Sequence, residues 1–173
     1  MKSKKLILIS SCLIGISSSY KGKFNEKASD FFIPIMREAE KYGFIFIPVC
    51  PEQLGGLSTP REPSELLSNS EEIISGKGKI LSKNGMDVTE NFLRGGNEAL
   101  KIADIFNIKT AIMKEKSPSC GKNNVYSGDF SGTLIKGMGI TSFLLSGNGI
   151  KVYSDEEILL SCLVERMSIT DLF

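Results

Sequence analysis

Short apolar runs of strand length alternate with longer segments of helical period along this chain, and no other feature narrows the fold as far. Leu6-Ile7-Leu8-Ile9, within Lys5 to Ser10, is an unbroken apolar run of the length of a strand buried on both faces. Asn25 to Tyr42 follows, with Phe31, Phe32, Ile35, Met36 and Ala39 on one helical face and Gly43 where a C-cap belongs. Phe44 to Val49 reads as a second strand. After a loop carrying Pro51, Gly55, Gly56, Pro60 and Pro63, residues 71–84 read as a small hairpin turning at Gly76-Lys77-Gly78. Asp87-Val88-Thr89 offers the N-cap of a helix that extends to Asn107. Thr110 to Met113 predicts a third strand. A Gly-rich segment, a short helix over Ile140 to Leu145, a strand over Ile150 to Tyr153 and a helix from Asp155 complete the pattern. Strands alternating with helices predict an α/β fold, Rossmann-like, with a mostly parallel sheet and helices on both faces.

That topology has a chemical consequence. Parallel strands share one rim at their C-terminal ends, and ligands of open α/β sheets bind outside that rim. Cys12, Cys50 and Cys120 each follow a different predicted strand, so three cysteines far apart in sequence are expected at one site. Cys50 lies in Pro48-Val49-Cys50-Pro51-Glu52 and Cys120 in Pro118-Ser119-Cys120-Gly121, where Pro and Gly restrict or redirect the backbone. Cys162 reads differently. It sits in Ile158-Leu159-Leu160-Ser161-Cys162-Leu163-Val164, as a small apolar residue in a helix.

The chain has no histidine. This removes Ser-His-Asp triads, Cys-His dyads and His-ligated metals, and leaves acid–base work to Glu, Asp, Lys, Tyr, Ser or Cys. Three thiolates without histidine suit a [4Fe–4S] cluster with one open iron, because thiolate is the usual cluster ligand and structural zinc ordinarily takes four protein ligands. Zinc and a bare thiol site stay open on this ground alone. The 173 residues suit a single domain, 1–173. A net charge of +1 gives no sign of general nucleic-acid or membrane-surface binding. Lys2, Lys4 and Lys5 before the first apolar run, with Ile9-Ser10-Ser11-Cys12, imitate a lipoprotein signal. The run is shorter than the ~7–15 apolar residues of a secretory core, and no segment reaches the ~20 of a membrane helix. A cytoplasmic location is expected.

Taken together, Cys12, Cys50-Pro51-Glu52, Gly55-Gly56, Thr59-Pro60-Arg61, Asp87-Val88-Thr89, Ser117-Pro118-Ser119-Cys120-Gly121 and Asn148-Gly149 make a recognisable set. The chain resembles the bacterial 2-thiouracil desulfurases from residue 5 to about residue 155, a single α/β desulfurase-like domain. The resemblance implies a [4Fe–4S] cluster held by Cys12, Cys50 and Cys120, with the fourth iron free for a substrate's sulfur. It also implies Glu52 as a catalytic acid and Ser117 as a catalytic serine. The implied reaction is thiouracil plus water giving uracil plus sulfide, so the expected partner is a small thiolated molecule.

Each residue also has a plainer reading. Glu52 can be a solvated loop carboxylate, and Ser117 can satisfy the backbone of a turn. Arg61 can offset a cluster's negative charge; Lys114, Lys116 and Lys122 read better as a solvated charged face. Gly55 and Gly56 shape a turn, since neither a dinucleotide fingerprint nor a P-loop occurs. Two other function classes are compatible with the cysteines: a cluster-free persulfide carrier or sulfur-transfer protein, and a zinc or redox-sensing module.

Overall fold

The structure is a computed structural model and describes residues 4–163. Strand β1 (Lys5–Ser10) enters a 3₁₀ turn (Ser11–Ile14) and leads to helix α1 (Glu26–Glu40) and strand β2 (Phe44–Val49). Helix α2 (Pro51–Leu54), strand β3 (Ser64–Leu66), helix α3 (Ser70–Ile74) and strand β4 (Ile80–Ser82) follow. Then come α4 (Thr89–Ile105), β5 (Thr110–Met113), β6 (Asn124–Tyr126), β7 (Leu134–Lys136), α5 (Ile140–Gly147), β8 (Lys151–Ser154) and α6 (Asp155–Leu163).

Four strands form one sheet in the order β2-β1-β5-β8, and every pairing in it is parallel. The first apolar run is the interior strand β1. Its alternation places Ile7 and Ile9 with Phe32 and Ala39 of α1 and Ile158 of α6. Leu8 joins Ala103 of α4 and Leu145 of α5 on the other face. The sheet is therefore covered on both sides, which is why its strands read as continuous apolar runs rather than alternating ones. After β2 on one side of β1, the chain crosses to β5 on the other side. That reversal opens a crevice at the C-terminal ends of β1 and β5.

Helix α1 forms where the sequence predicts one, and Asn25 caps it by accepting the Ala28 N–H at 3.3 Å. The predicted hairpin over 71–84 does not form. Asn69 accepts the Glu72 N–H at 2.9 Å, and Glu71 and Glu72 occupy the first turn, so capping and dipole both favour helix α3 there. Gly76 ends that helix in the left-handed region, φ +79°. Strand β4 pairs antiparallel with β3, Leu66 opposite Ile80 and Ser64 opposite Ser82. A second ribbon, β6 with β7, lies in the Gly-rich segment that sequence periodicity leaves unassigned. Leu66, Ile73, Ile80, Val88, Phe92, Val125 and Ile140 bind these ribbons to α4 and α5 as a third apolar cluster.

Candidate active site

A cavity of about 440 Å³ opens at the crevice. Cys12 sits in the 3₁₀ turn just past β1, Cys50 is the N-cap of α2 just past β2, and Cys120 lies on the turn after β5. All three line this cavity, with Glu52, Arg61 and Ser117. The parallel sheet thus delivers the three cysteines to one rim. Cys162 is half-buried and packs on the α1 face of the sheet, away from the cavity lining.

Burial pushes the Cys12 thiol up to about 12, Cys50 nearby pushes the same way, and Lys114 pulls it back. Burial raises the Cys120 thiol as well, opposed by a hydrogen bond with Ser10. The Cys50 thiol donates to the Ser18 carbonyl at 3.4 Å. All four cysteines are free. No three His, Cys, Asp or Glu side chains among the described residues are spaced to grip a single metal ion. A cluster of several irons spreads its thiolate ligands wider than one ion does, and a trio of free thiols at one opening has the donor chemistry for it.

The Cys50 segment is held by close backbone packing. A Cβ at Gly55 would lie 2.0 Å from the Asn91 carbonyl oxygen, and one at Gly95 would lie 1.9 Å from that of Pro51. Two bare backbones therefore let α2 sit directly on α4. The Gly55 carbonyl at the end of α2 accepts from Asn91 Nδ2 at 2.9 Å and from the Arg94 guanidinium. The turn expected at these glycines is real at Gly56, φ +88°, but Gly55 serves the contact.

Glu52 is not a solvated carboxylate. Arg61 Nε donates to its Oε2 at 2.6 Å, and the two side chains are only 16% and 7% exposed. The same guanidinium donates to the carbonyls of Ser18 and Ser58 and to Thr59 Oγ1, each at 3.1 Å. Arg61 thereby joins the Glu52 helix, the 58–61 loop and the Ser18 carbonyl that receives the Cys50 thiol. Ser117 Oγ accepts the N–H groups of Ser119 at 3.1 Å and Cys120 at 3.0 Å. This is the turn-satisfying role, and it leaves the hydroxyl proton available to the cavity.

Lys114, Lys116 and Lys122 pair with the acidic first turn of α6: Asp155 at 2.8 Å, Glu156 at 2.6 Å and Glu157 at 2.6 Å. They secure the Cys120 loop to α6. Sequence reasoning missed the opposite wall, which contains Glu65, Tyr126 and Phe130. Glu65 lies in a segment with no strand periodicity, and Phe130 in a Gly-rich loop, so neither carried a signal.

A family model described as 2-thiouracil desulfurase matches residues 7–157. The uncharacterized protein YbbK of Bacillus subtilis (strain 168) is 40% identical over 154 residues, covering 88% of this chain and 97% of that protein. Among solved structures, a [4Fe-4S]-dependent thiouracil desulfidase, TudS, matches with a TM-score of 0.75 and 34% identity, over 93% of this chain and 100% of that one.

Proposed function

Because the chain belongs to the 2-thiouracil desulfurase family, we propose that it removes sulfur from thiouracil or a related thiocarbonyl compound and releases sulfide. The observation that carries this reading is the convergence of Cys12, Cys50, Cys120, Glu52 and Ser117 on one cavity at the sheet rim. Cys12, Cys50 and Cys120 would hold a [4Fe–4S] cluster, giving up their thiol protons to do so. When bound, such a cluster supplies an open iron that acts as a Lewis acid toward the thiocarbonyl sulfur.

The reaction exchanges C=S and water for C=O and hydrogen sulfide. In this reading Glu52 moves the proton. Its Oε2 is held by Arg61, and its Oε1 accepts no hydrogen bond from any described residue. That oxygen is available to take a proton from water and return it to the departing sulfur or a ring nitrogen. Ser117, with its hydroxyl proton uncommitted, orients substrate or water. The whole chain, 1–173, acts as one desulfurase-like domain. No helix among the described residues is long and apolar enough to cross a membrane. With its cysteines free, a cytoplasmic site of action fits.

Anaerobic cluster reconstitution followed by a sulfide-release assay on a panel of thiobases tests this reading. Brown protein that contains iron and releases sulfide from at least one thiobase is the expected result. Colourless protein carrying sulfane sulfur would make the chain a persulfide carrier instead. Colourless protein containing zinc would make it a metal module.

A further inference from the structure

Glu65 and Phe130, on the wall opposite the cysteines, have no part in the chemistry above. Glu65 is the middle residue of β3, lines the cavity and is 7% exposed. It has no cationic partner among the described residues. Both of its hydrogen bonds fall on one oxygen: Oε2 accepts the N–H of Gly128 at 2.8 Å and of Phe130 at 3.0 Å. Its other oxygen, Oε1, accepts from no described residue. So enclosed a carboxylate ordinarily fills both oxygens. Glu115, the other buried carboxylate on the cavity, does so: Oε1 accepts from the N–H groups of Asn123 and Asn124, and Oε2 from Asn123 Nδ2.

Phe130 is tied to the Glu65 carboxylate through its backbone N–H and lines the same cavity. Its backbone has φ +56°, a left-handed conformation that bulky residues seldom take. The Glu65 carboxylate holds it there. The loop around it is braced from within, because Asp129 Oδ1 accepts from Ser127 Oγ at 2.6 Å and from the Ser131 N–H at 3.0 Å. Ser127 N–H also donates to the Thr133 carbonyl at 3.0 Å. Phe130, Tyr126 and Tyr20 are the aromatic residues that line the cavity.

We propose that Glu65 and Phe130 are the specificity-determining residues for the substrate ring, Glu65 Oε1 accepting a ring N–H and Phe130 packing on the ring face. The inference rests on the desulfurase reading and narrows its substrate class to flat heterocyclic thiolactams that keep an N–H. A carboxylate accepting an amide-type N–H forms a charge-assisted bond, stronger than a neutral one. A site built around a substrate N–H discriminates strongly against analogues that lack it, because the buried acceptor is then left unpaired.

The test uses reconstituted enzyme at matched iron content, with 2-thiouracil, 1-methyl-2-thiouracil and 3-methyl-2-thiouracil as substrates. Glu65→Gln can keep an oxygen on the loop amides, but it then turns an NH₂ toward the ring. KM for 2-thiouracil should rise about tenfold or more with kcat little changed, since a hydrogen bond to a charged group is lost. Phe130→Leu should raise KM by about tenfold through lost stacking. One of the two methylated substrates should be poor for the wild-type enzyme and insensitive to Glu65→Gln, because its methyl has already removed the bond in question. An unchanged KM in Glu65→Gln, or an equal rise for all three substrates, would overturn the proposal; the second result would make Glu65 a brace for the loop. Wild-type enzyme that is brown yet inactive on every thiobase defeats the desulfurase reading itself. Active wild-type enzyme with an indifferent Glu65→Gln defeats this inference alone.

Discussion

The two walls of the cavity enclose one space but are held by different forces. The cysteine wall grows from the ends of β1, β2 and β5, neighbours in a parallel sheet whose two faces are packed under helices. The opposite wall is made of two antiparallel ribbons whose strands are three residues each. Ribbons this small are marginal by themselves. They are fastened by the apolar cluster they share with α4 and α5 and by side chains that bind distant backbone: Glu65 on the 128–130 loop, Glu115 on the base of β6, and Ser70 Oγ on the Met138 carbonyl at 2.6 Å. The difference teaches that the three cysteines are positioned by a cooperative sheet packed on both faces, while Glu65 and Phe130 are positioned by small ribbons that need long-range side-chain hydrogen bonds as well as apolar packing.

The largest effects are expected on the cysteine wall. Replacing Cys12, Cys50 or Cys120 with Ala should abolish iron incorporation and visible colour after reconstitution, while Cys162→Ala should leave both nearly intact. Iron lost equally in the Cys162 variant would show that the rim does not define the donor set. Next comes Glu52→Gln, which should keep the cluster's colour and lose about 10²–10⁴-fold in turnover, the usual contribution of an acid–base group. Sulfide release at the wild-type rate would remove Glu52 from the reaction.

Glu115 joins the two walls, since it follows β5 and grips the hairpin at Asn123 and Asn124. Glu115→Ala strips two backbone N–H groups of their acceptor and should cost about 1–3 kcal/mol in denaturant unfolding, with reconstituted iron largely retained. Loss of iron in parallel with stability would mean that the walls fold as one unit and would break the contrast. The smallest effect is expected for Ser117→Ala. Losing an acceptor for the Ser119 and Cys120 N–H groups should cost about 1 kcal/mol. The cluster should remain, and turnover should fall less than in Glu52→Gln.

The cysteine wall was legible in the sequence because both of its ingredients are local. Strand-length apolar runs such as Leu6 to Ile9 announce β1, and motifs such as Cys50-Pro51-Glu52 follow strand ends directly. The rest of the site was not legible in this way. The segment 71–84 misled because Gly76 and Gly78 suggest a hairpin turn, whereas Asn69 caps a helix and Gly76 ends it. The second ribbon gave no apolar alternation, since every residue of β7 is exposed.

By itself the sequence determined the alternation of strands and helices, the absence of any histidine, and the placement of Cys12, Cys50 and Cys120 after successive sheet strands. Periodicity and motif spacing act over a few residues, and a parallel sheet converts such local order into one shared rim. Only the tertiary structure decided that Arg61 holds Glu52, that Gly55 and Gly95 bring α2 onto α4, and that Glu65 keeps one oxygen for the cavity while fixing Phe130. Each of these depends on residues that meet across a gap in the chain, as Glu65 and Phe130 do. Hydrogen bonding and steric fit at such distances leave no periodic trace in either segment.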